Sequence, residues 1–263
     1  MKVVTWNVNS IRQRLPRLLG VLARHDPDVV CLQETKVTDE DFPFDEVRGA
    51  GYHAASSGQR AYNGVAVLTK EQNDIVSRGM PDDPATPDAR LLRVDIPGLT
   101  VVTVYAVNGK TVDDPAYVKK LAWFDALREW VQESFDLDQP VLLAGDFNIT
   151  PDDRDVHDPD AWRGKNLASQ PERDRLAAIE AVGLADLGRD AAGDVVGPFT
   201  FWDYRMGAFH RGWGLRIDLL LGSASLRERL VSVEVDREER KPTTGEGKPS
   251  DHAPVIGTFR DPV

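Results

Sequence analysis

Acidic and amide residues stand again and again directly beyond short apolar runs, and their types are those of a hydrolytic centre. Asn7 follows Val-Val-Thr-Trp, Glu34 follows Val-Val-Cys-Leu-Gln, and Asp146 and Asn148 follow Val-Leu-Leu-Ala-Gly. Asp218 lies in Leu-Arg-Ile-Asp-Leu-Leu-Leu, and Asp251-His252 precede Ala-Pro-Val-Ile. Taken singly, an aspartate after glycine is a turn residue and a glutamate beyond a strand is solvated. Asp218 differs, because between Ile217 and Leu219 an unpaired carboxylate would be costly to bury. It either pairs with His252, whose protonated form a buried carboxylate favours, or pairs with Arg216, or caps a loop. If the run ends converge, Glu34, Asp146, Asp218 and Asp251 share a cleft and repel one another unless a cation is present. Such an oxygen-donor set selects Mg²⁺ or Mn²⁺. With a cationic imidazole and a carboxylate base it suits phosphoester hydrolysis.

The elements that must position these residues are short and β-rich. Strands are predicted over 3–6, 28–32, 64–68, 91–96, 100–105, 140–144, 217–221, 231–235 and 253–259. Leu15, Leu18, Leu19 and Leu22 follow helical spacing with Pro16 in the first turn, and His25-Asp26-Pro27 stops that helix. A longer helix runs from Pro115 to Glu133, capped by Asp113 or Asp114, with Tyr117, Leu121, Phe124, Leu127 and Val131 on one stripe. Ser169-Gln170-Pro171-Glu172 is a capping box opening a third helix that ends near Gly183. Strands outnumber helices and often follow one another directly, which predicts α/β layers with largely antiparallel or mixed sheets. No repeat or Gly/Ser linker interrupts the 263 residues, so one domain over 1–263 is expected.

Composition narrows the class. No apolar run is longer than Val29–Leu32, Val65–Leu68 or Val141–Ala144, far short of the roughly 20 residues of a membrane span. The N-terminus lacks a signal core, so a soluble, cytoplasmic protein with no membrane partner is expected. Cys31 is the single cysteine, which excludes disulfides and a Cys-rich metal site.

The motifs Trp-Asn-Val-Asn-Ser-Ile-Arg (6–12), Leu-Gln-Glu-Thr-Lys (32–36), Asn-Gly-Val-Ala-Val-Leu-Thr-Lys (63–70), Gly-Asp-Phe-Asn-Ile (145–149), Phe-Trp-Asp-Tyr-Arg (201–205), Leu-Arg-Ile-Asp-Leu-Leu-Leu (215–221) and Pro-Ser-Asp-His-Ala-Pro-Val (249–255) together resemble the exonuclease III family of apurinic/apyrimidinic endonucleases. Gly-Asp-x-Asn or Ser-Asp-His alone would indicate only the wider endonuclease, exonuclease and phosphatase superfamily. The resemblance implies a four-layer α/β sandwich of two packed mixed sheets, the DNase I-like fold, with the site at one edge. It implies Glu34 as principal metal ligand, with Asn7 and Asp251 completing the shell. Asp146 resembles the water-activating residue and Asn148 its neighbour on water or phosphate, both also candidate ligands. His252 resembles the phosphate-contacting imidazole, which favours Asp218 as its partner, and Tyr105 the tyrosine at the phosphate or leaving oxygen. Tyr-Ala-Val-Asn-Gly departs from the family, which carries a proline two residues after that tyrosine. Phe201, Trp202, Leu215 and Ile217 match an apolar pocket for an extrahelical abasic sugar. Arg205, Arg211 and Trp213 lie in a loop that mixes cations with aromatics, suited to a DNA groove.

The expected activity is Mg²⁺-dependent incision 5′ to abasic sites in duplex DNA, with 3′→5′ exonuclease or 3′-phosphatase action on 3′ ends, by a monomer. Two other readings compete: a phosphoesterase for a small phosphate ester, and a non-catalytic DNA-binding module. Charge weighs against DNA at first, since 32 Lys and Arg face 43 Asp and Glu for a net −11. Most of the excess sits in Asp39–Glu46 and Asp152–Asp160. Lys2, Arg12, Arg14, Arg17 and Arg24, with Arg205, Arg211 and Arg216 near the pocket, leave room for a local DNA surface facing away from those acidic segments.

Overall fold

The computed structural model describes residues 1–261. Among the described residues twelve strands form two sheets of six. The first contains β1 (Lys2–Asn7), β2 (Val29–Gln33), β3 (His53–Ser57), β4 (Val65–Thr69), β11 (Leu230–Val235) and β12 (Val255–Phe259) in the order β11-β12-β1-β2-β4-β3. The second contains β5 (Asp74–Arg78), β6 (Leu91–Ile96), β7 (Leu99–Tyr105), β8 (Val141–Asp146), β9 (Leu184–Asp186) and β10 (Asp218–Ser223) in the order β5-β6-β7-β8-β10-β9. Each sheet has a single parallel pair, β1 with β2 and β7 with β8, among antiparallel neighbours. The mixed-sheet expectation holds.

The layers follow from side-chain alternation. Val3, Val29, Cys31, Val65, Val67, Leu92, Val101, Leu142, Ala144 and Leu220 fill the space between the sheets. Val4, Trp6, Val30 and Leu32 turn outward onto the helix Ile11–His25 through Ile11, Leu18 and Leu22. Val102, Val104, Leu143 and Leu219 turn onto the helices Pro115–Ser134 and Gln170–Glu180. The result is helix, sheet, sheet, helix. Asp114 caps the second helix by accepting from the Ala116 amide at 2.8 Å, and the Ser169–Glu172 capping box opens the third. The first helix begins at Ile11, so Pro16 lies in its second turn. The missing amide leaves the Arg12 carbonyl without its intrahelical donor. Among the described residues no helix is long and apolar enough to cross a membrane.

Register brings the site together. The β1–β2 ladder pairs Asn7 with Gln33, so Glu34 emerges beside Asn7. The β7–β8 ladder pairs Tyr105 with Asp146, and the β8–β10 ladder pairs Asp146 with Asp218. A Cβ on Gly145 would lie 1.8 Å from the Val104 carbonyl oxygen. Only glycine therefore lets β8 approach β7 closely enough to set Asp146 beside Tyr105.

Candidate active site

The two sheets end at a common edge, where Asn7, Glu34, Tyr105, Asp146, Asn148, Asp218, Asp251 and His252 converge. The His252 Nδ1 lies 2.9 Å from Asp218 Oδ2, and its Nε2 lies 3.8 Å from Asp146 Oδ2. All three side chains are buried. Arg216 instead pairs with Asp155 and Asp186 through both ends of its guanidinium, so the choice of partner for Asp218 falls to His252. Ser250 Oγ donates to the Asn7 carbonyl at 2.7 Å, and Trp6 Nε1 donates to the His252 carbonyl at 3.1 Å. These bonds pin the segment before β12 to the end of β1.

Burial opposes the charge on His252, yet the carboxylates of Asp218 and then Asp146 override it and lift the imidazole from 6.5 to about 10. The ring is a cation at neutral pH. Burial, with the repulsion of Asp218 and Glu34, raises Asp146 to about 7 against the pull of His252 and Asn7. A carboxylate so placed is matched to proton abstraction near neutral pH. Burial, then the charges of Glu34 and Asp146, push the Tyr105 phenol well above its ordinary value, so it stays a neutral donor. Glu34 resists burial because Lys36 and then Asn7 hold it below the ordinary carboxylate range.

Asn7 Nδ2 is shared between Glu34 Oε1 at 2.8 Å and Asp146 Oδ2 at 3.0 Å. Glu34, Asp146 and Asp251 and the Asn7 amide offer hard oxygens of the kind that could hold Mg²⁺ or Mn²⁺. Asp146, Asp218 and His252 also offer ligand atoms within 4.8 Å of one another. Asn148 Nδ2 donates to the Ala106 carbonyl at 3.0 Å, and its amide N–H donates to Asp146 Oδ1 at 2.9 Å. The Ala106 amide in turn donates to the Asp146 carbonyl at 2.9 Å, so the loop without the family's proline still follows the end of β8.

Residues that the sequence reading did not assign complete the constellation. Asn9 Nδ2 donates to Asp251 Oδ1 at 3.0 Å, while its own Oδ1 accepts from Lys36 Nζ at 2.5 Å. Lys36 lies 2.7 Å from Glu34 Oε2. Asn108 Nδ2 donates to Asn148 Oδ1 at 2.9 Å. The available signal was that each stands in a motif already singled out. Asn9, Glu34, Lys36 and Asn148 have φ between 45° and 57°, a left-handed backbone that is uncommon for non-glycine residues and most costly here at Glu34 and Lys36.

Beside this centre lies a cavity of about 280 Å³ lined by His157, Trp162, Phe201, Asp203, Arg205, Met206, Ala208, Trp213 and Leu215. The Phe201 ring sits 4.9 Å from the His252 ring. His157, also unassigned from sequence, stacks on Trp213 at 6.0 Å, and the Arg211 guanidinium lies 4.5 Å from the Trp213 ring on which it rests.

Several expectations for this region are corrected. Trp202 does not line the cavity. Phe201 bridges to Leu215 and His252, whereas the buried Trp202 packs with Ala208, Phe209 and Ala253. Ile217 is buried behind Leu215 with Val156 and Leu167. Arg205 faces the cavity but is held by Asp203. Arg216 is buried away from it. The N-terminal cations are likewise engaged: Arg17 with Glu239, Arg24 with Asp236 and Glu239, Arg12 with Asp41, Lys2 with the His25 carbonyl, and Arg14 with the Asn9 carbonyl. The acidic segments are also partly neutralised, by Arg48 on Asp45 and by Arg173 on Asp153.

Residues 4–252 match the Endonuclease/Exonuclease/phosphatase family. Exodeoxyribonuclease III of Haemophilus influenzae is 33% identical over 99% of this chain and 100% of its own length. Exodeoxyribonuclease of Bacillus subtilis is 29% identical over 97% of this chain and 98% of its own. Among solved structures, the Neisseria 3′ phosphatase NExo bound to a product DNA hairpin superposes with a TM-score of 0.94 at 38% identity, covering 99% of both chains. An AP endonuclease from Archaeoglobus fulgidus superposes with a TM-score of 0.92 at 34% identity, covering 98% of this chain and 99% of its own.

Proposed function

The chain belongs to the endonuclease/exonuclease/phosphatase family, and from this premise and the Asp218–His252–Asp146 row we propose how it acts as a DNA-repair phosphodiesterase. The substrate is duplex DNA carrying an abasic site or a blocked 3′ end, and the cofactor is Mg²⁺, with Mn²⁺ as the alternative. The protein acts as a single domain and as a monomer. The observation that carries this reading is a buried carboxylate raised to about 7 standing 3.8 Å from an imidazole raised to about 10. A base and a cation are thus available in one pocket at neutral pH.

Asp146 takes the proton of the attacking water, and Asn7 and the Asn148 amide hold its carboxylate in one orientation. Protonated His252, steadied by Asp218, donates to a phosphoryl oxygen as negative charge builds there. Neutral Tyr105 supplies a second donor at the leaving side. Glu34, Asp251 and Asn7, with Asp146 and Asn148 beside them, would hold the divalent cation. When bound, that cation supplies positive charge against the phosphate. Breaking the bond to O3′ on the 5′ side of an abasic site leaves a 3′-hydroxyl. The cavity beside His252 receives the damaged or terminal sugar, with Phe201 and Leu215 as apolar walls and Arg205, Arg211 and Trp213 at its rim.

The test is incubation of two labelled duplexes, one with a central abasic site and one with a 3′-phosphate, in Mg²⁺ and in EDTA. Cleavage or dephosphorylation in Mg²⁺ that EDTA abolishes and added Mg²⁺ restores is expected. Activity that survives EDTA, or none in Mg²⁺ or Mn²⁺, overturns the proposal.

A further inference from the structure

Behind the active site lies a lysine that the chemistry above does not use. Lys120, on the helix Pro115–Ser134, has no side-chain exposure and neither does its partner Glu172. Its ammonium forms an ion pair with Glu172 and donates to the Asn148 carbonyl at 2.6 Å, the Asn108 carbonyl at 3.1 Å and Asn166 Oδ1 at 3.2 Å. Glu172 is anchored in turn by the Leu167 and Ser169 amides, each 3.0 Å away, and by Ser169 Oγ at 2.5 Å. One buried charge thus ties together the segments that follow β7 and β8 and the start of the third helix.

Both carbonyls on the ammonium belong to residues of the site. Asn148 and Asn108 are bonded to each other through their side chains, and the Asn148 amide borders Asp146. Asn148 carries its left-handed φ of 51° without glycine's freedom, so its peptide must be held by its surroundings. The space over the lysine is kept open by Gly109, where a Cβ would meet Asn166 Oδ1 at 2.8 Å and Lys120 Cδ at 2.9 Å. A buried ion pair is weak ground for stability alone, since apolar or neutral isosteres often replace one without loss. The ammonium's three N–H groups, shared among these four oxygens, fit placement of these two asparagines better than support of the core.

We propose that Lys120 is a positioning residue, which sets Asn148 against Asp146 and the substrate phosphate by clamping the Asn148 and Asn108 carbonyls. The inference rests on the function proposed above. A displacement of about 1 Å at a reacting centre costs up to about a hundredfold in rate.

The test is steady-state kinetics on the abasic duplex in Mg²⁺ for the parent, Lys120→Met/Glu172→Gln, Asn148→Ala and the combined triple variant. The paired substitution removes both buried charges together, and its folding is checked by thermal unfolding. The expected result is a kcat about ten- to a hundredfold lower with KM within twofold. In the Asn148→Ala background the same pair should cost at least threefold less than in the parent, because the side chain it positions is gone while the peptide N–H on Asp146 remains. If the paired variant does not fold, Glu172→Gln alone keeps the ammonium, loosens its anchor and is read against the same backgrounds. A folded variant with kcat within twofold of the parent overturns the role, as does an equal loss in both backgrounds. An inert parent overturns the proposed function instead.

Discussion

Replacing Asp218 by asparagine should move the alkaline limit of activity, with little change in shape. The Asp218 carboxylate lies 2.9 Å from His252 Nδ1, and both side chains are buried. Two unit charges about 4 Å apart at an effective dielectric near 20 attract by about 4 kcal/mol, or about three pKa units at roughly 1.4 kcal/mol each. Removing the charge therefore lowers His252 from about 10 to about 7, with Asp146 still opposing burial. The parent should show a kcat/KM plateau bounded on the acid side by Asp146 and on the alkaline side by His252. In the variant the protonated fraction of the imidazole falls about tenfold for each pH unit above about 7. The loss should then grow from about twofold at pH 7 to about 100-fold at pH 9, measured on the abasic duplex at saturating Mg²⁺. An alkaline limb that stays near pH 10, or a loss that does not change with pH, would refute the reasoning that Asp218 holds His252 charged.

Asp146→Asn should lose kcat by roughly 10² or more, the scale of an acid–base group, while fluorescence anisotropy finds the DNA still bound; loss of binding as well would remove its assignment as base. Trp202→Ala should destabilise by about 3–5 kcal/mol, as for a large core aromatic, whereas Phe201→Ala should leave the melting temperature nearly unchanged and raise KM for the abasic duplex. Equal melting losses would return Trp202 and Phe201 to a single role. Glu180, raised to about 7 chiefly by burial and then by Asp186, binds a proton more tightly folded than unfolded, so its effect turns unfavourable as pH rises from about 4.5 through 7. Glu180→Gln should therefore stabilise by about 1–2 kcal/mol at pH 8, allowing for its partial solvent screening, and by nothing near pH 4.5; paired thermal melts at the two pH values check the sign.

Much of the machinery is legible in the chain because strand ends and caps are local. Alternation located nine of the strands, and the Ser169–Glu172 capping box and the Asp114 cap appear where residue types called for them. The strands His53–Ser57, Asp74–Arg78 and Leu184–Asp186 escaped. The first carries alanines and serines, the second is an exposed edge, and the third is a three-residue strand, so none shows an apolar rhythm. The active-site carboxylates and His252 could be named from type and motif. Asn9 and Lys36 stand in those motifs, but their roles, like that of Lys120, could not be assigned, because a polar residue's partner across 27 or 52 positions is a matter of packing rather than of neighbouring sequence.

The cations make the same division. Residue types alone determined that there is one thiol, no membrane-spanning run and an acidic excess, and that hard oxygen donors stand at strand ends. Which charges remain free was decided only in three dimensions. Arg17, Arg24 and Arg216 look like a DNA surface in the sequence, but each has folded onto a carboxylate supplied by a distant segment. An ion pair depends on distance in space, and a chain of letters specifies only distance along the backbone.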